Sequence, residues 1–452
     1  MNKNVWEKYS EEKTKAMEKF CDGYKDFLSN HKTERECTKF AIEVAKNNGF
    51  VDLDEAIKQN KKLKPGDKVF AVNMNKSILL AVVGKNNMSE GMNFVGSHLD
   101  SPRLDIKATP IYENNELCLI DTHYYGGIKT YQWTAIPLAI HGTVAKKDGK
   151  VIDFVFGEGD GPCVGITDIL PHLDPNRQNP KVKGEDLNLL VGSKPDTSAE
   201  KDKYKNNIIK ILNANNIDEE DLFSAELEVV PSGKARDFGL DKSMVIGYGQ
   251  DDKVCAYASL MAFMQVENPE KTAVCLLVDK EEIGSVGATG MQSKFFENAI
   301  AEIMNLCGNY SELNMRRALN KSKMLSSDVT AGYDPNYPTP MNENTEAHLG
   351  RGISFNKYTG SRGKYDANDA NPEFIAKLRA ELDKKEIYYQ ATEMGKVDAG
   401  GGGTIAYIMA NYGMEVIDAG VPVLSMHAPW EVTSKVDIYE SYLCYLSFFD
   451  FD

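Results

Sequence analysis

Seven residues of this chain pair metal-binding or proton-moving chemistry with one local setting, the end of an apolar run or of a tight turn. They are His98 and Asp100, Asp251, Glu281 and Glu282, Asp328, and His427. Imidazole and carboxylate donors in this mixture suit zinc, with cobalt or manganese as substitutes. One catalytic zinc takes three protein ligands and keeps a position open. The set His98, Asp251, Glu282, Asp328 and His427 is larger than that. It fits two ions about 3.5–4 Å apart, sharing one carboxylate and one water. Of the adjacent Glu281 and Glu282, one then serves as ligand and the other as general base.

The elements that must position these groups are legible around them. Val274, Leu276, Leu277 and Val278 read as a buried strand that breaks into Asp279, Lys280, Glu281 and Glu282, and Gly284 closes the turn. Carboxylates at the end of a buried strand are costly to desolvate unless something positive meets them. In an α/β sheet the same strand end is the crevice where ligands bind. Successive side chains of extended backbone point opposite ways, so Glu281 and Glu282 are expected to do different jobs. A short strand from Asn93 delivers His98, and Asp100 follows two residues on. Metal-bound histidines need a carboxylate or carbonyl on the second ring nitrogen to fix tautomer and aim. A glycine-interrupted turn leads through Asp251 and Asp252 into a buried helix over 254–264. That acidic pair is either an N-cap or a carboxylate held to bridge two cations. Apolar strands also end in Asp328 and in His427, the latter broken off by Ala428 and Pro429.

The rest of the chain reads as scaffold. Met17, Phe20, Tyr24, Phe27 and Leu28 have helical spacing, and Thr33 with Glu36 fits a capping box for a second helix. A hairpin is expected around Asn75 and Lys76. Between 105 and 240 the character changes to short β-rich runs (116–120, 151–156, 226–230) joined by glycine, proline and charge, with an exposed polar loop over 194–207. His123, His141 and His172 lie there without carboxylate motifs and read as structural. The expectation is a discontinuous catalytic domain, 1–104 and 241–452, with an inserted β-rich domain at 105–240. The run Gly400 to Gly403 lacks the Lys-Ser/Thr of a phosphate loop, so its N–H groups are available to line a pocket. Loops 194–207 and 357–371 are candidates to gate it.

A formal charge of −15 over 452 residues excludes nucleic acid and anionic membranes as expected partners. No stretch reaches the roughly 18 apolar residues of a membrane span, and the first residues run into a charged helix without a signal-peptide core. The eight cysteines include no C-x-x-C pair, as expected of reduced thiols in a cytoplasmic protein.

Taken together, Gly96-Ser-His98-Leu-Asp100-Ser-Pro102, Asp251-Asp252, Asp279-Lys-Glu281-Glu282-Ile-Gly284-Ser285, Ser327-Asp328 with Pro335-Asn-Tyr337, and Met426-His427 resemble the aspartyl aminopeptidase family. Gly126 and Gly127 through Ala139, and Leu170-Pro-His-Leu173, extend the resemblance over essentially the whole chain. The family consists of co-catalytic dizinc exopeptidases, and the resemblance implies a mixed-sheet α/β/α catalytic domain of the phosphorylase/hydrolase-like fold. It implies that His98, Asp251 and Asp328 hold one zinc and that Asp251, Glu282 and His427 hold the other, Asp251 bridging. Glu281 would take the proton of the attacking water, and Asp100 would orient His98. It also implies that the insert serves dimerisation or acts as a lid, and that dimers build a tetrahedral dodecamer. The substrate would be a peptide with a free N-terminus. Departures at Gln250, at Gln132-Trp133-Thr-Ala-Ile-Pro137, at the glycine run and around Lys357 mean that the resemblance carries aminopeptidase activity and leaves the preferred N-terminal residue, acidic or not, open. Three other readings stand beside it: a dimetal amidohydrolase acting on N-acyl amino acids, a non-catalytic scaffold particle, and a metal-free glycosidase built on Glu281.

Overall fold

The computed structural model describes residues 4–359, 362–365, 367–399 and 401–451, so Gly400 and parts of the 357–371 loop lie outside the described residues. The chain forms two compact units: Met1–Asp100 with Ala235–Met426 and Glu431–Asp452, and Ser101–Lys234 with His427–Trp430.

The first unit is organised by a nine-stranded mixed sheet in the order Val51–Asp52, Lys68–Asn73, Ser77–Val82, Thr272–Val278, Met92–His98, Lys323–Ser326, Glu415–Gly420, Ile353–Asn356, Tyr389–Thr392. The four strands from Thr272–Val278 to Glu415–Gly420 are mutually parallel. Parallel strands are covered on both faces, which is why these segments read as unbroken apolar runs. Val95, Cys275, Leu277, Leu325 and Ile417 face one core, packed under the helices Glu11–Asn30, Gln250–Phe263 and Lys435–Phe449. Phe94, Val274, Leu276, Met324 and Val416 face the other, packed under Phe295–Leu306 and Glu312–Asn320. The result is the expected α/β/α layering. Its second helix, Glu34–Asn47, starts with both halves of the capping box at Thr33 and Glu36. A five-stranded sheet (Arg236–Phe238, Met244–Gly247, Glu431–Ser434, Pro422–Leu424, Thr330–Ala331) completes this unit.

Register decides what the parallel strands deliver. Val278 pairs with His98, and Ser326 pairs with both Gly96 and Asp418. The residues that follow Val278, the terminal His98 and the residues after Ser326 therefore leave the sheet at one edge.

The second unit is a six-stranded antiparallel sheet in the order Val151–Phe156, Leu138–Ala145, Ala225–Pro231, Arg103–Asn114, Leu117–Tyr125, Leu189–Gly192. Its one long helix, Lys203–Ala214, begins inside the stretch that the sequence presents as a polar loop. The cause is a start signal that is not local. The preceding Asp202 is left-handed and makes no side-chain cap, and Glu113 Oε2 instead accepts the N–H groups of Tyr204 (2.8 Å) and Lys205 (2.9 Å) from a strand about ninety residues away. Among the described residues no helix is long and apolar enough to cross a membrane.

Candidate metal centre

His98 ends its strand 1% exposed, and its two ring nitrogens have different company. Nδ1 lies 3.0 Å from the Asp100 carbonyl and 3.3 Å from Asp100 Oδ1. A proton held at Nδ1 by that pair leaves the Nε2 lone pair for a metal. Nε2 faces Asp251 Oδ1 at 3.2 Å, with Glu281 Oε2 and Asp328 Oδ1 each at 3.9 Å. Ligand atoms of His98, Asp251 and Asp328 all fall within 4.8 Å of one another.

Each of these side chains is set by its backbone. Ser327 N–H donates to the Gly96 carbonyl at 2.7 Å, which ties the entry of Asp328 to the His98 strand. Behind them the hydroxyls of Ser97, Ser259 and Ser327 form a buried chain at 3.2 and 3.1 Å. Asp251 and Asp252, joined by a cis peptide, have non-helical backbone at the start of Gln250–Phe263. Asp251 N–H donates to Glu431 Oε2 at 3.1 Å, and Asp252 Oδ2 accepts the His98 N–H at 3.2 Å. Gln250 binds this corner to the strand ends through Glu431 O (2.6 Å) and Val245 O (3.2 Å), and receives the Tyr24 hydroxyl at 3.1 Å.

The glutamate pair departs from the extended backbone anticipated for it. Lys280 takes a left-handed conformation (φ 69°), and Glu281–Ile283 is a single 3-10 turn. Successive side chains there diverge by about 120°, so the two carboxylates still point apart, for a different reason. Asp100 accepts the N–H of Glu281 at Oδ1 and of Glu282 at Oδ2, each at 3.2 Å. His427 has φ 65°, and its Nδ1 lies 2.8 Å from the Gly127 carbonyl. Asp251 and Glu282 belong to the first unit, and His427 belongs to the second.

The electrostatics test whether this donor set fits metal. Burial pulls the His98 pKa down, but Asp100 and Asp251 outweigh it and hold it well above the usual imidazole range. Burial, then the charges of Asp252 and Glu281, pushes the Asp328 carboxyl well above its usual value. Burial, with Asp251 added and His98 opposing, does the same to Asp252. Carboxylates this crowded resist ionising together. A bound divalent cation reverses that pressure and keeps them charged, so the donors fit it.

Sequence reasoning missed Glu431, which has no motif around it, and read Asp252 only as part of a pair. Both act through backbone N–H groups, which leave no pattern in residue types.

A sheet edge that gathers imidazole and carboxylate donors beside a partly exposed glutamate defines a metal-dependent hydrolase of the α/β class. The chain belongs to peptidase family M18, the aminopeptidase I zinc metalloproteases, which it matches over residues 27–449. This is the family its motifs resemble. It is 54% identical over 453 residues to a probable M18 family aminopeptidase 1 of Clostridium acetobutylicum, covering 99% of this chain and 97% of that one. The crystal structure of an M18-family aminopeptidase from Thermotoga maritima superposes with a TM-score of 0.94 at 40% identity, covering 100% of both chains. The mApe1 dodecamer of Saccharomyces cerevisiae shares the fold at a TM-score of 0.76 and 19% identity, covering 95% of each chain.

Proposed function

We propose that the chain is a zinc-dependent aminopeptidase that removes the N-terminal residue of peptides, with Glu281 as general base. The observation that carries this reading is the grouping of His98, Asp251 and Asp328 around one point, with Glu281 Oε2 3.9 Å from His98 Nε2. His98, Asp251 and Asp328 would hold one ion, and Asp251, Glu282 and His427 a second, Asp251 serving both. Ions held by these residues would supply Lewis-acid polarisation of the scissile carbonyl and would lower the pKa of a nearby water.

The chain's own groups do the rest. Glu281 takes the proton of the attacking water and returns it to the leaving amine. Asp100 holds the backbone of the Glu281 turn and keeps the His98 proton on Nδ1. The free α-amino group of the substrate would be bound by one ion or by a nearby carboxylate, which makes the activity exopeptidic.

The β-rich second unit is proposed as the dimerisation or lid element, and the assembly as a tetrahedral dodecamer; a dodecamer is the form named for the yeast mApe1. A reducing, cytoplasmic setting is supported by eight cysteines that all stay free, Cys21, Cys37, Cys118, Cys255, Cys275 and Cys444 being buried.

The test is hydrolysis of aminoacyl anilides with acidic, basic and apolar side chains, each free and N-acetylated, by zinc- or cobalt-loaded protein. Cleavage of free substrates alone supports the aminopeptidase, and the preferred side chain defines its specificity. Activity confined to acetylated substrates would replace the reading with an amidohydrolase.

A further inference from the structure

The turn that carries Glu281 and Glu282 is supported from two sides. Asp100 holds its N–H groups from one. On the other, the chain enters the turn through Asp279 and comes back beside it at Thr289, residues that are 1% and 4% exposed. Thr289 Oγ1 donates to Asp279 Oδ2 at 2.6 Å, and Asp279 N–H donates to the Thr289 carbonyl at 3.3 Å. The loop closed in this way contains four residues of positive φ, Lys280 (φ 69°), Gly284 (φ 92°), Ser285 (φ 58°) and Gly287 (φ 100°). Inside it, Ser285 N–H donates to the Lys280 carbonyl at 2.6 Å and Gly284 N–H to the Glu281 carbonyl at 2.9 Å.

Thr289 is itself anchored to the sheet. Its carbonyl accepts the Ser77 hydroxyl at 2.7 Å, and the carbonyl of the preceding Ala288 accepts Asn73 Nδ2 at 2.6 Å. One residue thus reaches the hairpin strand Ser77–Val82 through its main chain and the root of the glutamate turn through its hydroxyl. Asp279 directly precedes the left-handed Lys280, so any swing at Asp279 is carried along two residues to Glu281. Displacements of about 1 Å in a reacting group cost up to about 100-fold in rate.

We propose that Asp279 and Thr289 are positioning residues for Glu281, their carboxylate–hydroxyl clamp fixing the turn so that the general base stays within reach of the attacking water. The proposal rests on Glu281 being that base. Neither residue belongs to the donor groups above.

The experiment compares Thr289→Val, which removes the hydroxyl at nearly constant shape, with Thr289→Ser, which restores it, and runs Glu281→Gln in parallel. In the zinc-loaded protein, Thr289→Val lowers kcat about 10- to 100-fold with KM and zinc content unchanged, and Thr289→Ser recovers most of the loss. A merely structural role would not split kcat from KM, nor respond to the serine. An active Thr289→Val beside an inactive Glu281→Gln overturns the clamp and leaves the functional reading intact. An active Glu281→Gln removes the reading itself, and the clamp with it. A zinc content that falls in step with kcat in Thr289→Val also overturns the proposal, since the effect then belongs to the metal. Should Thr289→Val not fold, Asp279→Ala, which removes the acceptor, replaces it: kcat falls at constant KM and zinc content if the clamp acts, and stays at the parent level if it does not.

Discussion

Asp100 Oδ1 lies 3.3 Å from His98 Nδ1 while the same carboxylate receives the N–H groups of Glu281 and Glu282 at 3.2 Å. One side chain therefore sets the tautomer of a metal donor and the backbone of the proposed base. Replacing it by asparagine keeps one acceptor but turns an amide donor toward an N–H group. Asp100→Asn is expected to weaken zinc binding about 10- to 100-fold, as loss of an outer-shell partner does, and to lower kcat as well. Competitive chelator titration measures the first; unchanged affinity would separate Asp100 from the metal.

The two proposed roles at the centre come apart under mutation. Glu281→Gln is expected to retain zinc and lose on the order of 100- to 10,000-fold in kcat, the range that general-base catalysis supplies. His427→Ala is expected to lower the zinc bound per chain. Asp251→Ala, at the shared ligand, should lower it further. Elemental analysis decides it, and full stoichiometry in His427→Ala would break that ligand assignment.

Asp437 provides a stability prediction remote from the metal centre. It is fully buried at the start of Lys435–Phe449, where its oxygens accept Gly350 N–H at 2.6 Å and Gly352 N–H at 2.7 Å. Burial, opposed by those donors and aided by the charge of Glu440, pushes its pKa from 3.8 up to about 8. A raised carboxyl binds its proton more tightly folded than unfolded. Its contribution is complete below the unfolded value and is lost as pH rises through the folded one, at about 1.4 kcal/mol per pH unit at the steepest. Between pH 5 and pH 9 the parent should thus lose thermal stability relative to Asp437→Asn. A difference in Tm that stays constant over this range would refute the raised pKa.

Glu113 caps the helix Lys203–Ala214 from a distant strand. Removing a cap costs about 1 kcal/mol, and here the cost is confined to one helix. Glu113→Ala should speed proteolytic cleavage around 200–206 and leave zinc content unchanged. Equal cleavage rates in the two proteins would show that the helix start does not depend on this carboxylate.

The sequence by itself determined which groups could do chemistry and that they leave strands or turns. Apolar runs such as 272–278 carry no alternation because parallel strands are buried on both faces, and the acid that ends such a run is visible because burial penalises it. The capping box at Thr33 and Glu36 was equally legible, since both halves lie within one turn. Only the tertiary structure decided the rest. Bringing His98 level with Val278, and Gly96 level with Ser326, needs strand register, which links residues hundreds of positions apart. The backbone of the Glu281 turn, which Asp100 holds, and the hold of Asp252 and Glu431 on backbone N–H groups likewise rest on contacts between residues far apart in the chain. Local patterns record local geometry and burial. A hydrogen bond closed across the sheet has a free-energy cost and gain that only the assembled chain defines.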